Sequence, residues 1–496
     1  MFLFSVSGTE SIAAMNKMTN PAEIETELGP LYVAHQKVYP QSVAGRFRNV
    51  KWALMAVCLS VYYFLPFVRW DRGPNAPDQA VLIDFPNRRF YFFFIEIWPQ
   101  EVYYFTGLLI IAALALFLMN AIGGRIWCGY LCPQTVWTDL FYAVERLIEG
   151  DRRERIRKEK QPLSPRRVGE IVAKHSIWLF IAWWTGGAWV LYFADAPTLV
   201  RELATGQAPA VAYISIAILT FTTYSLAGFM REQVCVYMCP WPRIQAALTD
   251  EWALNVTYRY DRGEPRTSFK KAEELRARNL PAGDCVDCHQ CVVVCPTGID
   301  IRNGPQLGCI MCGLCIDACD TVMEKTGRPA GLIAYDTDIN IHRRQEGKPN
   351  IFRIVRARTL IYAGAIALVG FVMLYSLLTR SYIGVNVLHD RNPLFVTLSD
   401  GSVRNAYTVH LLNKRPQTRT VVLDVEGIEH PQLHVVGLDT VAGGRPEIVI
   451  GPDQTSEVRL LVTVPPGLQR STTVTFRVTD VTTGETAAKA EHFIAQ

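Results

Sequence analysis

Residues 285–319 read CVDCHQCVVVCPTGIDIRNGPQLGCIMCGLCIDAC, and the cysteines of this stretch decide the fold of the middle of the chain. The first run of cysteines consists of Cys285, Cys288, Cys291 and Cys295. The second run consists of Cys309, Cys312, Cys315 and Cys319. Both runs have the spacing C-x₂-C-x₂-C-x₃-C, so one short pattern occurs twice in succession.

This repeated spacing is typical of a ferredoxin with two [4Fe–4S] clusters, in which the fourth cysteine of each run binds the cluster of the other run. The first cluster is therefore predicted to bind Cys285, Cys288, Cys291 and Cys319. The second cluster is predicted to bind Cys309, Cys312, Cys315 and Cys295. Zinc needs only four sulfurs per site and does not explain two matched runs. Disulfides are disfavoured if this segment is cytoplasmic.

The chain has 496 residues, half of them hydrophobic, so we expect more than one domain and several membrane spans. Five apolar runs are predicted to cross the bilayer as helices. They are residues 52–68, 102–122, 171–193, 211–230 and 360–378. The aromatic-rich stretch at 69–100 is predicted to be a loop at the membrane interface. The opening MFLFSVSG has no basic region and is interpreted as a tail, not as a cleaved signal.

The distribution of lysine and arginine predicts the orientation, because these residues are concentrated in cytoplasmic loops. One basic cluster lies within residues 152–167 and another within 343–358. An inside N-terminus and five spans put both clusters and the cysteine runs in the cytoplasm, and the C-terminal region outside. The arginines within residues 69–89 oppose this pattern. Since the net charge is only +4, we interpret the clusters as topological signals and not as a nucleic-acid surface.

Two further cysteine pairs follow the second and fourth apolar runs. Residues 125–133 read RIWCGYLCP and residues 231–240 read REQVCVYMCP, so both contain C-x-Y-x-C-P. The paired cysteines are Cys128, Cys132, Cys235 and Cys239. Residues four apart share a helix face, and the following proline disfavours helical backbone at the second cysteine. Two matched pairs favour a metal site over simple packing, because soft thiolates select copper(I), zinc or iron–sulfur centres. Arg125 and Arg231 would offset part of the thiolate charge.

The residues from 394 to 494 alternate between apolar and polar in short runs, as at 403–411, 458–462 and 474–478, which predicts strands. Turn residues such as those at 413–416 and 443–444 separate the runs. About seven strands predict an immunoglobulin-like sandwich that docks a partner. Its histidines are interpreted as surface or core residues in preference to a copper site: His389, His410, His430, His434 and His492.

The order of these parts resembles that of the cytochrome c oxidase accessory proteins of the FixG, RdxA and CcoG group, over nearly the whole chain. The resemblance rests on the two C-x-Y-x-C-P motifs combined with the two cysteine runs. It implies a multi-pass protein of the bacterial inner membrane that reduces copper(II) to copper(I) for assembly of a cbb3-type oxidase. It also implies that the cysteines of the two motifs are catalytic and bind copper: Cys128, Cys132, Cys235 and Cys239.

The chain is therefore predicted to be a multi-domain membrane protein of five parts. These are a cytoplasmic N-terminal segment (1–51), a four-span region (52–250), a cytoplasmic ferredoxin-like domain with two [4Fe–4S] clusters (251–345), a fifth transmembrane helix with its basic flank (346–380) and a periplasmic all-β immunoglobulin-like domain (381–496). The expected partners are copper ions, membrane lipid, a cytoplasmic electron donor and oxidase subunits or assembly factors, but no nucleic acid. A homodimer is compatible with the sequence.

Two other functions remain open at this point. The first is a membrane ferredoxin that passes quinol electrons to a periplasmic reductase, which would oxidise quinol and need no copper. The second is a non-enzymatic scaffold for oxidase assembly, whose clusters would be redox-silent and whose membrane cysteines would be dispensable.

Overall fold

The computed structural model describes residues 37–74, 76–415, 417–438, 445–467 and 470–495. The N-terminal tail up to residue 36 and the turn residues Pro416, Gly443 and Gly444 lie outside the described residues. The α-helices in chain order are α1 (Arg46–Phe64), α2 (Tyr103–Gly123), α3 (Ile126–Tyr130), α4 (Pro133–Glu149), α5 (Arg152–Glu159), α6 (Pro165–Val190), α7 (Ala196–Thr205), α8 (Ala210–Thr223), α9 (Trp241–Leu248), α10 (Tyr260–Gly263), α11 (Phe269–Ala277), α12 (Gln290–Val293), α13 (Leu314–Lys325), α14 (Asp338–Gln345) and α15 (Ala357–Leu378).

The strands in chain order are β1 (Val81–Asp84), β2 (Arg89–Phe92), β3 (Ile95–Ile97), β4 (Asn255–Tyr258), β5 (Ile333–Asp336), β6 (Ile383–His389), β7 (Val396–Thr397), β8 (Val403–Asn413), β9 (Arg419–Glu426), β10 (Gln432–Val435), β11 (Glu447–Ile450), β12 (Gln454–Val464), β13 (Ser471–Asp480) and β14 (Thr486–Ile494). Short 3₁₀ turns occur at Leu65–Phe67, Pro99–Glu101 and Ile301–Asn303. π-Helical turns occur at Tyr224–Met230 and Val234–Met238.

Within the part of the chain that the structure describes, four helical stretches are long and apolar enough to cross a membrane. They are Arg46–Phe67, Pro99–Gly123, Ala210–Met230 and Ala357–Leu378. These stretches correspond to the first, second, fourth and fifth predicted spans and indicate membrane association. The third predicted span falls in α6, a helix of 26 residues that is rich in tryptophan and does not belong to these four.

Helix α6 packs along α8 and connects two separate parts of the molecule. Near its beginning, Lys174 forms a salt bridge of 2.6 Å with Glu149 at the end of α4. Beyond its other end, the carbonyl of Leu191 accepts a hydrogen bond of 2.7 Å from Gln79, which precedes β1. Helix α6 therefore runs from α4 to the β1 region.

The aromatic stretch at 69–100 is not a simple loop, and the interpretation from the sequence was wrong in this respect. Strands β1, β2 and β3 form an antiparallel sheet in that order, with Val81 opposite Phe92 and Phe90 opposite Ile97. Tyr91 is buried at 2% exposure. Aromatic residues occur at both inward and outward positions here, so the alternation that would predict strands is absent from the sequence.

The cysteine-rich part, residues 251–345, is a small unit in which apolar side chains pack around several of the cysteines. Strands β4 and β5 pair antiparallel, with Val256 opposite Tyr335. Their side chains pack together with α13 in one buried cluster, which includes Met323, Leu332 and Ile333 as well as Cys285, Cys291 and Cys319. Much of the two cysteine runs thus lies among apolar side chains, although Cys288 is exposed.

The C-terminal part is a sandwich of two antiparallel sheets, as the alternating pattern predicts. One sheet has the order β10-β12-β8-β6, with β7 paired to β8, and the other has the order β11-β9-β13-β14. Its core is made of inward-facing residues such as Tyr407, Val462 and Phe476, each fully buried. In the described residues the sandwich has nine strands and not about seven. The prediction missed β6, which lies before residue 394, and β7, which has only two residues.

Salt bridges attach the sandwich to the β1–β3 sheet and to the beginning of α2. Arg89 of β2 contacts Asp453 at 2.7 Å, and Lys414 contacts Glu101 at 2.6 Å. The cysteine-rich part instead contacts the first residues of α1 and the residues that follow α2. The sandwich and the cysteine-rich part therefore lie at opposite ends of α1 and α2.

Candidate metal centres

The second cysteine run and the last cysteine of the first run meet in space. They line one cavity, which Cys291 of the first run also borders: Cys295, Cys309, Cys312 and Cys315. Burial raises the pKa values of three thiols, and each of these thiols also interacts with the charge of Cys295: Cys309, Cys312 and Cys315. A [4Fe–4S] cluster takes one thiolate on each of its four irons, and Cys295, which interacts with all three thiols of the second run, is the predicted fourth ligand.

The remaining cysteines form a second group around Cys319 of α13. Burial raises the pKa of Cys319 to about 12, and the neighbouring charges that raise it further include three thiols: Cys291, Cys285 and Cys288. The fourth cysteine of each run thus lies beside the other run, which is the arrangement that crossed ligation requires. The ligand assignment itself stays a prediction.

The two C-x-Y-x-C-P motifs have closely similar backbones. Gly124 and Arg231, each four residues before the first cysteine of a motif, have φ and ψ of 54° and −121°, and of 44° and −115°. Cys132 and Cys239 are extended, with ψ of 128° and 122°. The prediction that proline interrupts the helix at the second cysteine is therefore confirmed. After each motif the chain continues directly as a helix, α4 after the first and α9 after the second.

The same backbone hydrogen bond closes each motif. The N–H of Cys132 donates to the carbonyl of Trp127 at 2.9 Å, and the N–H of Cys239 donates to that of Val234 at 2.8 Å. In both motifs the acceptor lies five residues before the second cysteine. This wide turn is the structural counterpart of the repeat in sequence.

The four motif cysteines are electrostatic neighbours. Burial raises the pKa of Cys128 to about 12, and the three other motif thiols raise it further: Cys132, Cys235 and Cys239. Across the repeat, the Cys128 thiol donates to the side-chain oxygen of Gln245 at 3.3 Å, and the Gln134 amide donates to the carbonyl of Leu226 at 2.9 Å. Side-chain contacts therefore join the two motifs.

Among the residues that the structure describes, no group of three or more His, Cys, Asp or Glu side chains is arranged to hold one metal ion. All thirteen cysteines are free. The motif thiols are neighbours, and a four-thiolate copper site remains a prediction. The sandwich histidines that the structure describes likewise form no such group.

The first motif packs directly against the second cysteine run. A Cβ added at Gly129 would lie 2.7 Å from the carbonyl oxygen of Ile310 and 3.0 Å from the Cα of Cys312. The Tyr130 hydroxyl donates to the carbonyl of Cys312 at 2.9 Å, and Cys128 packs against the apolar cluster that contains Cys312. Little space therefore separates the motif from the second run.

The arginines of the two motifs differ. The Arg125 guanidinium donates to the carbonyl of Leu307 at 2.6 Å and interacts with the charges of Cys309 and Cys128, while burial lowers its pKa. Arg231 instead pairs with buried Glu145. The expectation that both arginines offset thiolate charge is thus wrong for Arg231, because counting from the cysteines aligns Arg231 with Gly124 and not with Arg125.

The sequence did not reveal the residues that hold the cysteine-rich part on the membrane helices. The Asp317 carboxylate accepts hydrogen bonds from the backbone N–H groups of Phe47, at 3.2 Å, and Arg48, at 2.8 Å. It thereby caps α1 from another part of the chain. In the sequence, Asp317 stands between Cys315 and Cys319 and nothing there indicates that it caps a helix. For Tyr130, the only signal in the sequence was that a tyrosine occupies the same position in both motifs.

Family models match most of the chain. A 4Fe-4S dicluster domain matches residues 230–338, and a 4Fe-4S binding domain matches residues 105–151. A model described as the IG-like fold at the C-terminal of FixG matches residues 373–496. These matches support iron–sulfur clusters and an immunoglobulin-like C-terminal domain.

Three curated relatives are similar over most of their lengths. Nitrogen fixation protein FixG of Rhizobium meliloti (strain 1021) is 52% identical over 465 residues, covering 88% of each chain. Protein RdxB of Cereibacter sphaeroides is 53% identical, covering 82% of this chain and 85% of that one. Protein RdxA of the same organism is 50% identical, covering 89% and 92%.

Proposed function

Because the chain belongs to the family of FixG, RdxA and RdxB, 4Fe–4S membrane redox proteins, we propose that it reduces copper(II) to copper(I) at its motif cysteines. The clusters, when bound, supply single electrons. Reduction of copper(II) consumes one electron and needs no proton or leaving group. Soft thiolates stabilise copper(I) relative to copper(II), which favours this direction.

The packing of the first motif on the second cysteine run is the observation that supports this proposal most. Gly129 and Tyr130 bring the motif against the backbone of Cys312. Cys128 belongs to the same motif and interacts with the other three motif thiols. An ion held there would lie close to the ligands of the second cluster and apart from bulk water.

We assign the product to a copper-containing oxidase of the cbb3 type, either directly or through an assembly factor, and the electrons to a cytoplasmic donor. The basis is the family membership, combined with a sandwich at the opposite end of α1 and α2 from the cysteine runs. In this assignment the motif cysteines would hold copper, the two cysteine runs would hold the clusters that supply the electron, and the sandwich would contact the acceptor.

The proposed topology has five spans, a cytoplasmic cysteine-rich part and a periplasmic sandwich. Helix α6 is the additional span. Its support is that α6 begins beside α4, on the side of the motifs, and ends beside β1, on the side of the sandwich. A crossing by α6 lets α8 bring the second motif back to the side of the first, and the basic clusters favour the cysteine-rich side as cytoplasmic.

Anaerobic titration of the purified, reduced protein with copper(II) tests the proposal. We expect bleaching of cluster absorbance to reverse as copper(I) appears, with one copper(I) formed for each electron lost. The double variant Cys132→Ser, Cys239→Ser should retain both clusters but neither bind nor reduce copper. Cys58→Ser, a lone cysteine in α1, is the matched control. A double variant that reduces copper(II) at the normal rate would refute the proposal.

A second candidate is that the motif cysteines hold a third iron–sulfur cluster. The match of a 4Fe-4S binding domain to residues 105–151, which include Cys128 and Cys132, favours it. Iron analysis separates the candidates, because two [4Fe–4S] clusters give about eight irons per chain and three give about twelve.

A further inference from the structure

A charged cavity of about 200 Å³ lies beside the beginning of α6, on the side of the cysteine motifs. Five basic side chains line it: Lys37, Arg155, Lys158, Arg167 and Lys174. Three carboxylates also line it: Glu149, Glu159 and Glu170. The walls therefore carry a net charge of +2, five positive minus three negative charges, and the cavity favours an anion.

The three carboxylates are paired with lysines of the same walls. The salt bridges join Lys158 to Glu170 at 2.7 Å, Lys174 to Glu149 at 2.6 Å and Lys37 to Glu159 at 3.1 Å. These pairs hold the lysine side chains around the cavity. The excess positive charge therefore comes from the guanidinium groups of Arg155 and Arg167.

Arg155 is buried in the wall, with 2% of its side chain exposed. Its Nη2 pairs with Glu145, a carboxylate that Arg231 shares. Among the described residues, its Nε and Nη1 have no hydrogen-bond partner, and Nε lies 3.6 Å from Glu149, which is too far for a hydrogen bond. Buried donors without a partner are costly, so these two atoms indicate a ligand that accepts from them. The planar guanidinium fork matches the oxygens of a phosphate group.

An apolar face of α6 adjoins the cavity. The α6 residues that line the cavity share one face, since they recur at positions 167, 170, 171, 174 and 175. On the neighbouring face, Val168, Val172, Leu179 and Trp183 are between 45% and 58% exposed. In the proposed topology α6 crosses the membrane, so this face contacts acyl chains. An anion in the cavity would therefore lie at the end of a surface that lipid chains cover.

We propose that this cavity binds the phosphate group of an anionic phospholipid, whose acyl chains lie along the exposed apolar face of α6. Arg155 supplies the unpaired donors, and Lys158 and Lys174 supply further positive charge. Basic pockets at the cytoplasmic ends of membrane helices are the usual binding places of anionic headgroups. The site lies outside the cysteine runs and motifs, so it takes only the membrane crossing of α6 from the proposed function.

Quenching of tryptophan fluorescence by brominated lipid tests this site, because bromine quenches the indoles that it contacts. Trp183 lies nine residues beyond Lys174, about 13 Å along the helix, beside the middle of a bound acyl chain. The full-length protein is reconstituted in phosphatidylcholine vesicles that contain a rising fraction of brominated phosphatidylglycerol. A parallel series contains brominated phosphatidylcholine, whose headgroup has the same phosphate but no net charge. We expect half-maximal quenching at a lower fraction of phosphatidylglycerol than of phosphatidylcholine.

Variants of the walls test which side chains hold the headgroup. Arg155→Gln and Lys158→Gln should each raise the half-quenching fraction of phosphatidylglycerol about tenfold, the effect of one hydrogen bond to a charged group. Arg153→Gln, an exposed arginine of α5 with the same change of charge, should behave as the wild type. Glu159→Gln removes a negative charge from the wall and should lower the fraction. Lys158→Gln decides the test if Arg155→Gln does not fold, because Arg155 also pairs with Glu145.

Competition with inorganic phosphate at constant ionic strength distinguishes a lipid from a free phosphate. We expect no relief of quenching, and relief would instead assign the cavity to a soluble phosphate compound. Equal quenching by the two brominated lipids, or wild-type quenching in both Arg155→Gln and Lys158→Gln, would overturn the site. A protein that selects phosphatidylglycerol but fails to reduce copper(II) would remove the proposed reduction and leave this site standing.

Discussion

Single side chains fasten the cysteine-rich part to the membrane helices, and Asp317 is the clearest case. Its carboxylate is buried and accepts from two backbone N–H groups at the beginning of α1. The approach is so close that a Cβ at Gly45 would lie 2.3 Å from the carboxyl carbon. One residue of the second cysteine run therefore caps a helix 270 positions away in the chain.

Replacement of Asp317 by alanine should lower the free energy of unfolding by about 1–2 kcal/mol, the usual cost of losing an N-terminal cap. Asp317→Asn retains one acceptor oxygen and should cost less. Urea unfolding followed by tryptophan fluorescence measures both. Glu324→Ala, an exposed position on the same helix, is the control, and equal stabilities for the Asp317 and Glu324 variants would refute the cap.

Cys295 tests the crossed ligands at the same scale. Cys295→Ala should damage the cluster of the second run, because Cys295 lines the cavity of Cys309, Cys312 and Cys315. The cluster bound by the other three cysteines of its own run should persist. Low-temperature electron paramagnetic resonance distinguishes the two. Selective loss of the cluster at Cys285, Cys288 and Cys291 would contradict crossed ligation.

At the scale of elements, the decisive contact is that of α3 with the loop of the second cysteine run. Helix α3 has five residues and little stability of its own. Tyr130 at its end and Arg125 just before it donate to carbonyls of that loop. The short helix therefore depends on tertiary contacts, and the loop in turn is positioned by the helix.

Gly129→Ala should push α3 away from this loop, because the new Cβ would contact the backbone of Ile310 and Cys312. Overpacking of this kind costs about 1–3 kcal/mol. Gly169→Ala on α6 meets no atom within 4 Å and has the same gain in helix propensity. Thermal unfolding and iron content measure the difference, and an unchanged Gly129→Ala protein would show that the contact is loose.

At the scale of the whole molecule, the soluble parts are attached to opposite ends of the helical region. Arg89 and Lys414 join the sandwich to the β1–β3 side, while Asp317 and Arg125 join the cysteine-rich part to the other side. This separation suits the proposed function, in which electrons arrive on one side and the product leaves toward the other.

Reporter fusions test the proposed topology. Alkaline phosphatase fused after Gln496 should be active, because the enzyme needs an oxidising periplasm to form its disulfides, and a fusion near Gly283 should be inactive. A fusion near Gln207, between α6 and α8, should also be active if α6 crosses the membrane. Inactivity of the Gln496 fusion together with activity near Gly283 would reverse the orientation.

The attachment of the sandwich should depend on pH through Glu96. Burial raises the pKa of Glu96 from 4.5 to about 7, and Asp453 raises it further, whereas Arg89 and Arg380 lower it. Since the folded value exceeds the unfolded one, the contribution to stability is full below pH 4.5 and is lost as the pH rises through about 7.

The Glu96→Gln variant has no carboxyl group to ionise at this position, so it should not lose stability as the pH rises through about 7. Hydrogen exchange of β3 at pH 6 and pH 8 should therefore show faster exchange at pH 8, after correction for the intrinsic rate, in the wild type only. Glu447→Gln, an exposed carboxylate of the sandwich, should behave as the wild type. A pH response that survives in Glu96→Gln would assign the effect to another group.

Local patterns in the sequence determined much of this protein. Apolar runs determined four helices that can cross a membrane, alternation determined the strands of the sandwich, and proline determined the break at Cys132 and Cys239. Each of these features depends on neighbours within a few residues of the chain. The cysteine spacing likewise indicated the clusters, because their ligands recur within one short segment.

Only the tertiary structure decided which distant residues come into contact. It brought the motif thiols together, set Tyr130 against Cys312 and left Tyr237 exposed, although the two tyrosines have the same place in the same motif. It also directed Arg231 to Glu145. The physical reason is that close packing is a property of surfaces far apart in the chain, so identical local sequences acquire different environments from what is packed against them.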